Sequence, residues 1–160
     1  MTAQEYIAEQ TERMGTILAH YVATTAPDKL HWQPTAEGSA PTRSVLEQIG
    51  ECVAVNRLFA AMLCGKDVKM PPGGFAGLGF ANGEEAQAQA QLIASAAELA
   101  AAIRPLSEEA LEQNFQTMRG PTPGKNLMMM GYRNMVYHGG QINLIQLLTG
   151  DAEFHRPPTW

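Results

Sequence analysis

Apolar side chains at positions 7, 14, 18, 21 and 22 (Ile7, Met14, Leu18, Tyr21, Val22) recur at helical spacing, with Glu5, Glu9, Glu12 and Arg13 on other faces. This pattern predicts a first amphipathic helix over residues 3–24. Ala26-Pro27-Asp28 ends it, and the Pro- and Gly-punctuated connector that follows carries two large apolar residues, Leu30 and Trp32, as expected core anchors. Ser44-Val45-Leu46-Glu47 has the capping-box spacing, in which a hydroxyl and a carboxylate satisfy the amides left open at a helix start. The second helix is therefore expected from there to about Cys64. The segment GKDVKMPPGGFAGLGFANG, with six glycines and two prolines, is too broken for helix or strand and predicts a long loop.

An Ala-rich third helix, with Leu92, Ile93, Leu99 and Ile103 as its large apolar residues, is expected from about Gly83 to Arg104, where Pro105 stops it. A short turn of helix capped by Ser107 then leads into NFQTMRGPTPG, which reads as irregular. The fourth helix, from about Lys125 to Leu148, closes at Thr149-Gly150, with Gly150 as a left-handed cap. Its apolar residues, among them Met128 to Met130, Val136, Leu144, Leu147 and Leu148, are too widely spread for one inward stripe, so part of this helix is expected to meet a second chain. The tail adds Phe154 and Trp160, expected to fold back or to cross to a partner. No period-2 alternation is evident, and the fold class predicted is an all-α four-helix bundle.

At 160 residues the chain has the length of one domain, 1–160, with enough apolar material for a core of its own. A formal net charge of -5 supplies no positive field for nucleic acid or anionic lipid, and no apolar run reaches membrane-spanning length. The N-terminus lacks a basic, then apolar, leader pattern, so a cytoplasmic location is expected. Cys52 and Cys64 fall about 18 Å apart along one helix, too far for a disulfide, and both are expected to be reduced, buried thiols.

The chemistry concentrates in NMVYHGGQI. Positions 128, 131, 135, 138, 142 and 145 follow an alternating three-and-four spacing that faces His138 inward along one seam. Asn134, four residues before it, and Gln141, three after, share its neighbourhood. Gly139 and Gly140 inside a helix cost about 2 kcal/mol relative to alanines, so a close helix approach or room beside the imidazole should compensate. On the second helix, Glu51 heads an inward line with Val55, Leu58 and Met62, and a carboxylate there needs a cation, a strong donor or a metal. Arg57 and Arg133 are candidate partners. Periodicity alone leaves open a hydrogen-bonded core histidine, a ligand pocket or a metal ligand.

Three stretches, in this order, resemble the DinB-like superfamily: Leu30, Trp32 and Pro34 leading to Arg43-Ser44-Val45; Ser107-Glu108-Glu109-Ala110-Leu111; and Tyr137-His138-Gly139-Gly140-Gln141-Ile142 continuing to Gly150-Asp151. The resemblance implies up-down-down-up helix order with the Gly-rich loop as crossover, and a homodimer. It also implies three histidines on a divalent metal, one from the second helix and an H-x-x-x-H pair from the fourth. Only His138 matches; Glu51 and Asn134 stand at the other two positions.

Glu51, Asn134 and His138 are thus the candidate metal set, for zinc or nickel, with Gln141 and Tyr137 beside a substrate. The resemblance implies metal-dependent hydrolysis or thiol transfer for a full site. The altered set leaves two alternatives beside it, a pocket for a small molecule without metal and a non-catalytic dimeric bundle with a stress-related accessory role.

Overall fold

Four long helices wrap around the apolar stripes read from the sequence, in a computed structural model that describes residues 1–35, 37, 42–68, 74, 75, 77–118 and 120–158. Helix α1 spans Ala3–Thr24, α2 Val45–Leu63, α3 Glu85–Ile103 and the last long helix, α6, Met130–Leu148. Between α3 and α6 lie a short α4 (Glu108–Glu112), strands β1 (Asn114–Thr117) and β2 (Gly120–Pro123), and one turn of helix, α5 (Gly124–Leu127).

The helix starts follow local chemistry. Thr2 and Ser44 each accept from an amide three residues on while the glutamates there, Glu5 and Glu47, bond back, so both long N-termini are closed by capping boxes. Ser107 caps α4 through the Ala110 amide. At the far end of α6, Gly150 adopts φ +96°, the left-handed turn that releases the chain from the helix.

Long-range contacts fix the helix order. Gln4 of α1 donates to the Leu106 carbonyl and Glu12 pairs with Arg104, so α1 runs antiparallel to α3. Asn56 donates to Ser95 and Arg57 to Glu98 and Gln91, tying the middle of α2 to α3, and the directions of the other pairs make these two helices parallel. Asn56 also meets Met135 while Gln48 meets His138, so α2 and α6 are antiparallel. Gln146 reaches the Thr25 hydroxyl and Gly139 lies beside Met14, so α1 and α6 are parallel. This is the up-down-down-up order, and a parallel α2–α3 pair requires a crossover between them. The described part of that crossover packs backbone to backbone, a Cβ on Gly50 lying 2.6 Å from the Gly79 nitrogen.

One end of the core holds Leu18, Leu46, Ile49, Leu92, Met135 and Ile142, the other Leu63, Leu99, Ile103 and Leu127. Leu30 is buried and Trp32 packs against the first group, as expected of connector anchors.

Three expectations need correction. NFQTMRGPTPG contains a hairpin, with Asn114 opposite Pro123 and Thr117 opposite Gly120. Strands of four residues leave too short a pattern to read, and in the second of them Pro121 and Pro123 lack the amides that extend a ladder. The predicted fourth helix is interrupted at Met128–Met129, where the Met129 amide bonds three residues back to Asn126 and tightens the turn. Cys64 caps α2 and is exposed; only Cys52 is buried, where desolvation pushes its thiol pKa up. Trp160 lies outside the described residues, and Phe154 is exposed.

Candidate functional site

Antiparallel packing of α2 on α6 brings together the polar residues of both helices. Gln48 and Glu51 occupy successive turns at the start of α2, and Asn134, His138 and Gln141 stack along α6. All six positions of the predicted seam, from Met128 to Ile145, are buried, and His138 is 3% exposed.

The imidazole is held from one side. Its Nδ1 lies 3.1 Å from Gln48 Oε1 and 2.9 Å from Gln141 Oε1. Amide oxygens only accept, so Nδ1 carries the proton and Nε2 presents its lone pair. Burial holds the His138 pKa below its usual 6.5, opposed by the Gln141 bond and reinforced by the charge of Arg43. The neutral ring therefore turns Nε2 toward Glu51 Oε1 at 3.5 Å, acceptor facing acceptor, and Nε2 is buried without a hydrogen bond.

Glu51 has its cation, although neither Arg57 nor Arg133 supplies it. Arg43, from the connector just before the Ser44 cap, lays its guanidinium against Glu51 Oε2. Arg57 is engaged with Glu98 and Gln91, and Arg133 is exposed. Asn134 donates a long 3.4 Å bond to Glu51 Oε1, and its own Oδ1 is buried without a partner. Among the described residues, no three His, Cys, Asp or Glu side chains gather as a metal-holding group.

Above this floor opens a cavity of about 470 Å³, lined at its polar end by Arg43, Gln48, Glu51, His138 and Gln141. Its apolar lining comes from Tyr137, Leu144, Ile145 and Leu148, further along α6. Tyr137 is at the rim, 64% exposed, with its ring edge-on to His138 at 5.3 Å between centroids. Sequence reasoning missed Arg43 and Gln48 as site residues. Gln48 was accessible, three residues before Glu51 on the same helix face, whereas Arg43 sits in a connector without periodicity.

The glycine pair divides its work. A Cβ on Gly139 lies 3.0 Å from Met14 Cε, so this glycine permits the α1–α6 approach. Gly140 has nothing within 4 Å of that position and instead floors a second groove, about 360 Å³, between α1 and α6. The expected close approach is therefore at Gly139, and the room beside the imidazole is the cavity of about 470 Å³ that His138 lines.

A helical bundle with up-down-down-up order and a pocket between its second and last long helices is the class of protein these features define. The chain belongs to the DinB superfamily, whose family model matches residues 10–142. Its fold is similar to that of a conserved protein from Enterococcus faecalis known from a crystal structure, with a TM-score of 0.71 at 16% identity, covering 94% of this chain and 99% of that one. Among curated proteins none matches the chain. Among the described residues, no helix is long and apolar enough to cross a membrane.

Proposed function

We propose that this chain is a small-molecule-binding bundle whose α2–α6 pocket takes a compact amphipathic ligand, its polar end toward Arg43, Glu51 and His138 and its apolar end against Tyr137, Leu144 and Leu148. The observation that carries this reading is the convergence of a polar floor and an apolar wall on one cavity of about 470 Å³. The donor set does not fit a resident zinc or nickel ion. Arg43 already neutralises the Glu51 carboxylate, and Asn134 offers only a neutral amide, leaving His138 as the single strong donor.

The test is a titration of chelator-treated protein, followed by methyl and side-chain amide NMR, with carboxylates, amines, amides, alcohols, thiols and amino acids of small apolar body. Shifts confined to Leu144, Ile145, Leu148 and Gln141, and lost in Leu148→Trp, are expected. Silence across the panel overturns the pocket reading. Uptake of more than about half an equivalent of zinc by the same protein replaces it with a metal site.

We further propose that α6 pairs with a second copy of the chain. Val136 and Leu147, more than 40% exposed and outside the pocket lining, form an apolar face with Gly140 on that helix, and its edge of Tyr137, Leu144 and Leu148 is shared with the pocket. Light scattering should give a two-chain mass that Leu147→Glu reduces to one; a wild-type monomer at micromolar concentration refutes the pairing.

A further inference from the structure

The floor of the pocket poses a charge problem that narrows its ligand. Arg43 and Glu51 are the only charged side chains among the described residues that line it. They form one ion pair, and the partners are unequally covered: the Glu51 side chain is 14% exposed and that of Arg43 40%. Arg43 is therefore the outer, movable member. Beneath it lie two acceptors 3.5 Å apart, Glu51 Oε1 and His138 Nε2, of which the second has no donor and the first only the long Asn134 bond.

A simple carboxylate that drew Arg43 away would leave Glu51 buried and unpaired against the His138 lone pair, a costly arrangement. A simple amine that displaced Arg43 would leave the guanidinium without its partner and add a cation beside it. A ligand with both groups avoids either cost. Its carboxylate takes the fork of Arg43, and its ammonium, with three donors, reaches Glu51 Oε1 and His138 Nε2. One ion pair becomes two, no charge is left alone, and the unsatisfied imidazole nitrogen gains a donor.

We propose that the pocket selects zwitterionic aminocarboxylates with an apolar side chain, of the size of leucine, by exchanging partners in the Arg43–Glu51 pair. This rests on the pocket reading above and adds the chemical class. The apolar side chain lies toward Leu144, Leu148 and Tyr137.

Calorimetry on the full chain with L-leucine, 4-methylpentanoate and 3-methylbutylamine tests it, because the last two are leucine without its amine and without its carboxylate. Leucine should bind at least about tenfold more tightly than either. Arg43→Gln should erase the gap between leucine and the amine, and Glu51→Gln the gap between leucine and the acid, with circular dichroism checking that each variant folds. Should Glu51→Gln fail to fold, the exposed Arg43→Gln change carries the test alone. Equal binding of either one-headed analogue, or an unaltered gap in Arg43→Gln, overturns the exchange. If other members of the amphipathic panel shift the pocket while leucine does not, the exchange falls and the pocket reading stands; silence from all of them fells both.

Discussion

The two antiparallel helix pairs of the bundle are built from opposite materials. Along α1–α3 the contact is small and apolar: Ala88, Leu92, Ala96, Leu99, Ala100 and Ile103 are completely buried, and a Cβ on Gly15 would lie 2.6 Å from that of Ala96. Its polar ties, Glu12 with Arg104 and Gln4 with the Leu106 carbonyl, sit at the end of the pair. Along α2–α6 the middle is polar, and three buried atoms, Asn56 Oδ1, Asn134 Oδ1 and His138 Nε2, have neither a hydrogen bond nor an ion pair to a cation, while Glu51 Oε2 has only the Arg43 guanidinium. Burial of apolar area stabilises the first pair, whereas unsatisfied acceptors destabilise the second. A seam that keeps such groups does so at the expense of stability, which accords with the ligand pocket proposed for it.

The contrast breaks most visibly under core truncation. Leu92→Ala, at a fully buried position of α3 facing Gly15 of α1, should cost about 3 kcal/mol through lost transfer energy and the cavity left behind. Urea unfolding measures it. A loss below about 1 kcal/mol would mean that the α1–α3 side repacks freely and is not the rigid half of the molecule.

At the polar pair the same kind of experiment should change sign. Asn134→Leu keeps the approximate shape, removes the orphaned Oδ1 and gives up only the long bond to Glu51. A stabilisation of about 1 kcal/mol is expected. A loss of that size would show instead that Asn134 holds Glu51 in place, and that the α2–α6 seam is structural in the same sense as its counterpart.

The two seams were also unequally legible in the sequence. Three-and-four spacing was enough to turn Met135, His138 and Ile142 inward, because a helix imposes one period on everything it carries. The same period made the surplus on α6 visible, and Leu144, Leu147 and Leu148 are indeed exposed. Helix starts were readable because capping is local chemistry. What periodicity cannot supply is the identity of a partner reached through irregular chain. Arg43 meets Glu51 from a connector whose path follows from tertiary packing, so the ion pair that sets the charge of the floor was invisible. The hairpin escaped for a related reason, since its strands are shorter than any pattern that could announce them.

The smallest expected effect sharpens the border between these two kinds of information, at the capping box that launches α2 beneath the pocket. Burial pushes the Glu47 carboxyl up, but the Ser44 amide, the Gln33 side chain, the Ser44 hydroxyl and the charge of Arg43 outweigh it and hold the group below its usual 4.5. A carboxyl lowered on folding contributes stability that is fully present above its unfolded value and is lost as pH falls through the folded one. Wild type should therefore exceed Glu47→Gln by about 0.5 kcal/mol at neutral pH, and the two should converge below pH 4.5 as the carboxylate protonates. Urea midpoints across that range read the difference. Parallel pH profiles would mean that Glu47 acts as a neutral acceptor could, and that the helix start under Arg43 and Gln48 is fixed by packing rather than by charge.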